Sequence, residues 1–153
     1  MRLFLSLVVV CGVAVESVGI ALAADAGSKD EAVAMVKKAI DHVKANGKAK
    51  AFSEFNNPKG SFVDRDLYIV VYDLNGKCLA HGANRKMIGR DLLDAKDPDG
   101  KPYMKERVEL MKKSSTAWQE YKFRNPVSNK MEPKTMYLEK LEDMIVGCGV
   151  YNK

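Results

Sequence analysis

Apolar residues recur at helical spacing near the start of the chain. Residues 28–31, Ser-Lys-Asp-Glu, have the spacing of a capping box, and Asn46-Gly47 ends the apolar pattern that follows them. The periodic positions are Val33, Val36, Ile40 and Val43. This pattern predicts a long amphipathic N-terminal helix, and residues 49–55 predict a short helix after it.

Five later stretches have the alternation and composition of β-strands. The first two, residues 67–74 and 77–81, flank Asn75-Gly76, which is the strongest short-range signal for a hairpin. A further helix, starting near Pro102, is indicated by the spacing of Met104, Val108 and Met111. The last three strands are predicted at residues 118–124, 135–141 and 144–151.

This order of elements predicts an α+β domain with an antiparallel sheet. We expect the long N-terminal helix on one face of the sheet, and the later helix with its loops on the other. A ligand pocket can form between that second cover and the sheet.

The first 23 residues have the organisation of a cleaved signal peptide. Arg2 supplies a positive charge, residues 3–15 are almost wholly apolar, and residues 21–23, Ala-Leu-Ala, form a small-x-small cleavage pattern. The apolar run is shorter than the roughly 20 residues of a membrane-spanning helix. We therefore expect a cut near Ala23/Ala24, a single domain over residues 24–153, and a periplasmic or secreted location.

The charge balance of that domain is mildly basic. Without Arg2 and Glu16 it keeps 24 Lys and Arg against 19 Asp and Glu, a net charge of +5. This excess favours an anionic ligand or an acidic partner surface, although dispersed lysines also serve solubility. The chain has no arginine-rich run or aromatic-basic motif, so nucleic acid is not an expected partner.

A series of sequence blocks, in order along the chain, resembles the single Cache domain family. The blocks are Tyr68-Ile-Val-Val-Tyr-Asp-Leu-Asn-Gly76, Leu79-Ala-His81, Ile88-Gly-Arg-Asp91, Asp97-Pro-Asp-Gly100, Trp118-Gln-Glu-Tyr121, Asn125-Pro126, Glu132-Pro-Lys-Thr-Met-Tyr137 and Gly147-Cys-Gly-Val-Tyr151. They cover nearly all of the predicted domain, which makes the resemblance far more specific than a single motif.

The resemblance implies a PAS-like fold with five antiparallel strands in the order 2-1-5-4-3, preceded by a long helix. Members of the family are usually the extracytoplasmic halves of chemoreceptors and sensor kinases, and they bind small organic acids, amino acids or related metabolites. Because the chain stops at Lys153, we expect a free-standing form of this module. It would present its ligand to a membrane receptor, a sensor kinase or a transporter.

The candidate ligand-binding residues lie on the predicted strands. His81 would offer a neutral donor or a protonated cation to a carboxylate, and Lys134 would pair with one. Tyr137 and either Trp118 or Tyr121 would form aromatic walls. Strict alternation puts Trp118 and Tyr121 on opposite faces, so the expectation that both line the pocket rests on the resemblance.

Each candidate also has a structural alternative. His81 would equally bond to the backbone at a strand end, the aromatic rings would pack in the core, and Lys134 would be a solvated surface lysine. Two further candidates are Tyr68, which would also suit the core, and Arg90, which would also anchor a loop through Asp91.

Residues 95–106 resemble a calcium-binding loop in part. Acidic residues and a glycine occupy several positions of a calcium-binding loop, but Ala95 stands where its first carboxylate is required, so a turn at residues 97–100 is favoured and no metal is expected.

The two cysteines of the domain, Cys78 and Cys148, fall on predicted strands 2 and 5, two strand spacings or about 9.6 Å apart. A disulfide requires Cα atoms within roughly 7 Å, so we expect unpaired, buried thiols.

No motif in the chain indicates an enzyme. The two histidines, His42 and His81, are poorly placed as partners, and no HExxH, CxxC, GxSxG or glycine-rich phosphate loop is present. No cofactor is expected. One functional hypothesis is therefore a sensor module for a small anionic metabolite. The other is a secreted interaction protein with a vestigial pocket, acting through its surface or as a homodimer packed through the N-terminal helix.

Overall fold

The computed structural model describes residues 26–152. The predicted signal peptide, residues 1–23, and its cleavage site lie outside the described residues. Within the described part of the chain, no helix is long and apolar enough to cross a membrane.

The described chain forms three helices, a short 3-10 turn and seven strands. In chain order they are α1 (Lys29–Asn46), α2 (Lys48–Phe55), β1 (Val63–Asp64), β2 (Leu67–Tyr68), β3 (Val70–Asp73), β4 (Cys78–His81), the 3-10 turn (Arg85–Met87), α3 (Tyr103–Lys113), β5 (Thr116–Arg124), β6 (Met131–Leu141) and β7 (Met144–Tyr151). Helix α1 begins with the predicted capping box, in which Ser28 and Glu31 bond reciprocally.

Five strands form one antiparallel sheet in the order β4-β3-β7-β6-β5. The five predicted strands correspond to β3, β4, β5, β6 and β7, so this arrangement confirms the predicted order 2-1-5-4-3. The remaining strands, β1 and β2, pair in a separate two-stranded hairpin that the sequence pattern did not predict. Its turn contains Arg65 with a φ of +56°. Glycine, asparagine and aspartate are the residues that commonly adopt this conformation, so an arginine in the sequence does not indicate such a turn.

The sheet has a hydrophobic core on each face. On one face, α1 buries Val36, Ile40 and Val43 against strand residues such as Val71 and Val146. On the other face, α3 packs against the sheet and a loop. Its residues Tyr103, Met104, Val108 and Met111 form one core with Leu92 of the loop and with the strand residues Tyr72, Met136, Leu138 and Ile145. The predicted α+β arrangement is confirmed, and we call the second of these surfaces the α3 face.

Cys78 and Cys148, the cysteines of the described part of the chain, are both unpaired and buried. Cys78 lies in β4 and belongs to the core of the α3 face, whereas Cys148 lies in β7 and belongs to the core under α1. Burial raises the pKa of each thiol to about 12. The two sulfurs are therefore separated both by strand β3 and by the thickness of the sheet.

The turn predicted at residues 97–100 is present and is tied to the sheet. The Asp97 carboxylate accepts backbone N–H groups of Asp99 and Lys101 within the turn, and that of Lys122 in β5. The bond to Lys122 caps part of the outer edge of β5.

Candidate ligand-binding site

Two glycines of β7 leave open space on the α3 face. Strand β7 lies at the centre of the sheet, between β3 and β6. A Cβ atom on Gly149 would stand 2.6 Å from Lys134 Cε, and one on Gly147 would stand 3.0 Å from Leu138 Cδ2. The glycines therefore make room for long side chains that reach across the sheet from β6.

Lys134 is buried in that space, against aromatic rings. It shares a face of β6 with Met136 and Leu138, because alternate residues of a strand point the same way. Its Nζ lies 4.0 Å from the centre of the Tyr68 ring and 4.7 Å from that of Tyr151, and it donates to the Tyr151 hydroxyl at 3.4 Å. No ion pair to Lys134 is present among the described residues.

These surroundings disfavour the ammonium form of Lys134. Burial is the largest cause, the Arg107 charge acts in the same direction, and Cys148 and Asp66 act against them. Together they lower the pKa of Lys134 to about 7. The Asp66 carboxylate is engaged elsewhere, since it accepts the backbone N–H of Gly27 at 2.7 Å. Near neutral pH, a large share of Lys134 is therefore the neutral amine.

Arg107 brings a second buried cation to the α3 face. Its side chain is fully buried, and its guanidinium carbon lies 5.1 Å from the ring centre of Tyr72, 5.5 Å from that of Tyr103 and 5.0 Å from that of Tyr121. Nε donates to Gln119 Oε1 at 3.0 Å. Nη1 and Nη2 make no hydrogen bond of good geometry within the described structure, and their nearby polar group is the Tyr121 hydroxyl, which interacts with the guanidinium. An arginine stays charged even when buried, so these two nitrogens can donate hydrogen bonds to an anion.

Gln119 fixes the orientation of this guanidinium. Its amide nitrogen donates to the Tyr103 carbonyl at 2.8 Å and to Glu106 Oε2 at 2.7 Å, which leaves its oxygen pointed at Arg107. Glu106 is itself paired with Lys101 at 3.2 Å. The Glu106 carboxylate is thus linked to Arg107 through the Gln119 amide.

Tyr121 connects the two cations. Its ring faces the Arg107 guanidinium and stacks on Tyr103 at 4.9 Å. In the sheet, Tyr121 is the direct cross-strand partner of Lys134. Arg107 therefore contacts the ring of the residue that pairs with Lys134 across the sheet, and both basic side chains belong to the same face.

His81 joins the group as a neutral ring. It stacks on Tyr68 with 5.2 Å between ring centres, and its Nδ1 accepts the backbone N–H groups of Ala83 and Asn84 at 3.3 and 3.0 Å. Burial, with smaller contributions from the Lys134 and Arg107 charges, lowers the pKa of His81 to about 3. The hypothesis of a protonated His81 is thus wrong at neutral pH, and the ring has only its Nε2–H to offer as a donor.

A surface pocket of about 220 Å³ reaches this group from one side. Its lining includes Tyr68, His81, and Phe123 and Arg124 of β5. The Tyr151 hydroxyl donates to the Arg124 carbonyl at 2.7 Å and lies 3.0 Å from the Tyr68 hydroxyl. The buried hydroxyl groups therefore connect the pocket to Lys134.

The structure brings together four of the predicted site residues, namely Tyr68, His81, Tyr121 and Lys134. It places Trp118 and Tyr137 on the opposite face, where their rings contact each other at 5.1 Å and Lys29 of α1 lies over Trp118. The expectations that Trp118 and Tyr137 line the pocket are corrected. The β5–β6 pairing runs without a bulge, so strict alternation holds and Trp118 faces away from Tyr121. Arg90 is exposed and lies outside the group.

Sequence reasoning missed Arg107, although the sequence contained a signal. The apolar stripe of Met104, Val108 and Met111 has Arg107 at a position that belongs to the same face of the helix. A charged residue inside an apolar stripe must be buried or must end the stripe. The aromatic residues Tyr72, Tyr103 and Tyr151 were also missed, since a tyrosine on a strand or helix does not reveal which face it occupies.

The described residues contain no group of three or more His, Cys, Asp or Glu side chains placed to hold a metal ion. What converges on the α3 face is basic and aromatic: two cations, a neutral imidazole and several phenol rings. This chemistry suits a small anion with an apolar part.

Comparison with protein-family models gives a match to Single Cache domain 2 over residues 10–153. Among curated proteins, the methyl-accepting chemotaxis protein McpP of Pseudomonas putida is 32% identical over 90 residues, which are 58% of this chain and 16% of McpP. The sensor histidine kinase MctS of Rhizobium johnstonii is 30% identical over 89 residues, which are 57% of this chain and 19% of MctS. The aligned segments span less than a fifth of each of these relatives.

Solved structures with the same fold include a chemotaxis protein and a chemosensory domain. A methyl-accepting chemotaxis protein of Vibrio parahaemolyticus has a TM-score of 0.70 at 23% identity, covering 80% of this chain and 87% of that one. A Cache chemosensory domain, solved for the structural basis of its carboxylic acid recognition, has a TM-score of 0.68 at 25% identity, covering 81% and 92%.

Proposed function

The chain belongs to the single Cache domain 2 family, and we propose that it binds a small organic acid on the α3 face of its sheet. It is a sensor domain related to the ligand-binding domains of chemoreceptors and sensor kinases. Domains of this kind are binding modules rather than enzymes. The proposal concerns which ligand this domain binds and which residues hold it.

The observation that carries the proposal is a pair of buried basic side chains without an acidic partner in the described structure. Arg107 is a buried cation with two nitrogen donors that make no hydrogen bond of good geometry, and Lys134 contacts rings and a hydroxyl. A buried charge without a counter-charge costs several kcal/mol, and a ligand carboxylate would offset that cost. The carboxylic acid recognition reported for a similar Cache domain supports the same ligand chemistry.

The size of the site favours a short acid. The pocket beside Tyr68 and His81 has a volume of about 220 Å³, below the roughly 300–1,000 Å³ typical of sites for drug-sized ligands. The rings of Tyr68 and Phe123 in this pocket would contact a short apolar chain, and Nε2–H of His81 would donate to its carboxylate. Lys134 and Arg107 do not line the pocket, so the carboxylate would bind them only by entering the α3 face beyond Tyr68.

We infer a periplasmic or secreted setting, from which the bound module would act on a membrane receptor, a sensor kinase or a transporter. The family's extracytoplasmic sensor role and the signal-peptide pattern of residues 1–23 support this setting. The alternative, an interaction protein or an α1-mediated homodimer with a vestigial pocket, predicts an apolar filling of the α3 face. The convergence of Arg107, Lys134 and His81 there weighs against it.

A thermal-shift screen of the purified protein tests the proposal. The panel contains short mono- and dicarboxylic acids, the amide of each acid, amino acids and purines. A ligand that binds only the native state raises the melting temperature by mass action, so one class of acids should raise it and their amides should not. If no acid produces a shift well above millimolar concentration, the interaction-protein alternative replaces this proposal.

A further inference from the structure

The amine of Lys134 has the surroundings of a nucleophilic lysine. The rings of Tyr68, Tyr151 and Phe123 lie 4.0, 4.7 and 5.9 Å from Nζ, and the residue is 1% exposed. The surface lysines Lys48 and Lys122 differ, because each is paired with carboxylates that raise its pKa.

A lysine attacks a carbonyl carbon only as the neutral amine. Desolvation and a neighbouring cation are the two ways in which proteins produce that form near neutral pH. Lys134 has both, since it is buried and Arg107 lies on the same face, and its pKa falls to about 7. It retains its nucleophilic lone pair in a site that also offers a guanidinium to an anion.

We propose that Lys134 captures 2-oxo acids covalently, by forming an imine between its Nζ and the carbonyl carbon of the acid. The inference rests on the proposed carboxylate site, because Arg107 is required to hold the carboxylate of the same molecule. Acids without a carbonyl group bind at this site only non-covalently.

The step balances without an oxidant or a reductant. The nitrogen lone pair attacks the carbonyl carbon and a C–N bond forms, giving a carbinolamine. The carbon–oxygen bond then breaks, and the oxygen leaves as water with the two protons of the amine. Hydrolysis by one water molecule reverses the step.

Tyr151 is placed to move those protons. Its hydroxyl lies 3.4 Å from Lys134 Nζ and 3.0 Å from the Tyr68 hydroxyl. Burial raises the pKa of both phenols, so each keeps its proton at neutral pH. A protonated hydroxyl beside the amine can accept one proton while it passes on another, from the nitrogen to the departing oxygen.

Reductive trapping tests the inference. The whole protein is incubated with pyruvate and cyanoborohydride near neutral pH, its intact mass is followed, and the modified residue is located by peptide mapping. We expect a single reduced adduct per chain, on Lys134, before any other lysine is modified, and we expect excess propionate to suppress it. Lys130→Met, which alters an exposed lysine four residues away, should give the same adduct on Lys134.

The outcomes separate this inference from the proposed function. If propionate binds but pyruvate labels Lys134 no faster than the surface lysines, the covalent step is overturned and the carboxylate site stands. If Lys134 is labelled first although propionate neither binds nor suppresses the labelling, the amine captures the acid without the carboxylate site, and the part given to Arg107 is overturned together with the proposed function. Because the label is located in the unaltered protein, the result does not depend on a Lys134 variant that folds.

Discussion

Lys134 places its ammonium nitrogen 4.0 Å from the centre of the Tyr68 ring, inside the core of the α3 face. The ring supplies a cation–π contact, which is worth about 2 kcal/mol when desolvated, but burial of the charge costs more than that. The balance appears in the pKa of Lys134, which is lowered from 10.5 to about 7.

The lowered pKa of Lys134 predicts how stability depends on pH. Below pH 7 the folded and unfolded chains both hold the proton, and the cost of the buried ammonium is fully present. As the pH rises from 7 towards 10.5, the folded chain releases a proton that the unfolded chain keeps, so the free energy of unfolding rises. The slope should be at most about 1.4 kcal/mol per pH unit.

Urea denaturation at several pH values checks this slope. The useful window runs from pH 7 to about 8.5, above which unfolded cysteines titrate as well. The Lys134→Met variant should lose the rise, and Lys130→Met, at an exposed position, should keep it. Parallel curves for the wild type and Lys134→Met would show that Lys134 is an ordinary ammonium.

Gly149→Ala should weaken acid binding by crowding Lys134. The added Cβ would come 2.6 Å from Lys134 Cε and 3.0 Å from the Thr135 carbonyl, so the lysine side chain must move. We expect an overpacking cost of about 1–3 kcal/mol in unfolding free energy and a loss of affinity of roughly tenfold or more.

Val150→Ala is the matched control for Gly149→Ala. It lies next in the same strand but faces α1, so it should also destabilise the domain, by about 1–3 kcal/mol, yet leave acid binding within about twofold. Equal losses of affinity in the two variants would attribute the effect to stability rather than to the position of Lys134.

Trp118 and Tyr137 should be dispensable for the ligand. Both rings lie on the face of the sheet that α1 covers, opposite the face that holds Arg107. Calorimetric titration of Trp118→Ala and Tyr137→Phe should therefore give affinities within about twofold of the wild type. Tyr121→Ala, which removes a ring that contacts Arg107, should lower the affinity by roughly tenfold or more. A large loss in Trp118→Ala would restore the original placement of that residue in the pocket.

The fold could be predicted because its signals are local. The capping box at Ser28, the hairpin at Asn75-Gly76 and the alternation along the strands each follow from a few neighbouring residues. The family resemblance then supplied the strand order, which local patterns leave open. The bounds failed where pairing extends a strand past its propensity: β6 begins at Met131 instead of Thr135, which puts Lys134 inside the strand.

The site could be predicted only in part, because facing direction depends on exact register. Lys134 and Tyr121 were predicted for the site, and the structure places both on the α3 face; the alternation rule correctly set Trp118 against Tyr121 until the resemblance overrode it. Arg107 required a different inference, namely that a cation within an apolar helical stripe is buried. The neutral state of His81 follows from burial and nearby cations, which no single segment of the sequence contains.

The most direct test of the account is the affinity of the Arg107→Met variant for the acid that gives the largest thermal shift, measured by calorimetric titration beside the wild type and Lys105→Met. Lys105 is an exposed cation on the same helix, so its removal changes the net charge equally. Truncating one partner of a buried charge pair costs about 2–5 kcal/mol, so Arg107→Met should bind the acid at least roughly thirtyfold more weakly. Lys105→Met should bind as the wild type does. If instead Arg107→Met keeps the wild-type affinity, the acid is not held by the buried guanidinium and the central claim is wrong.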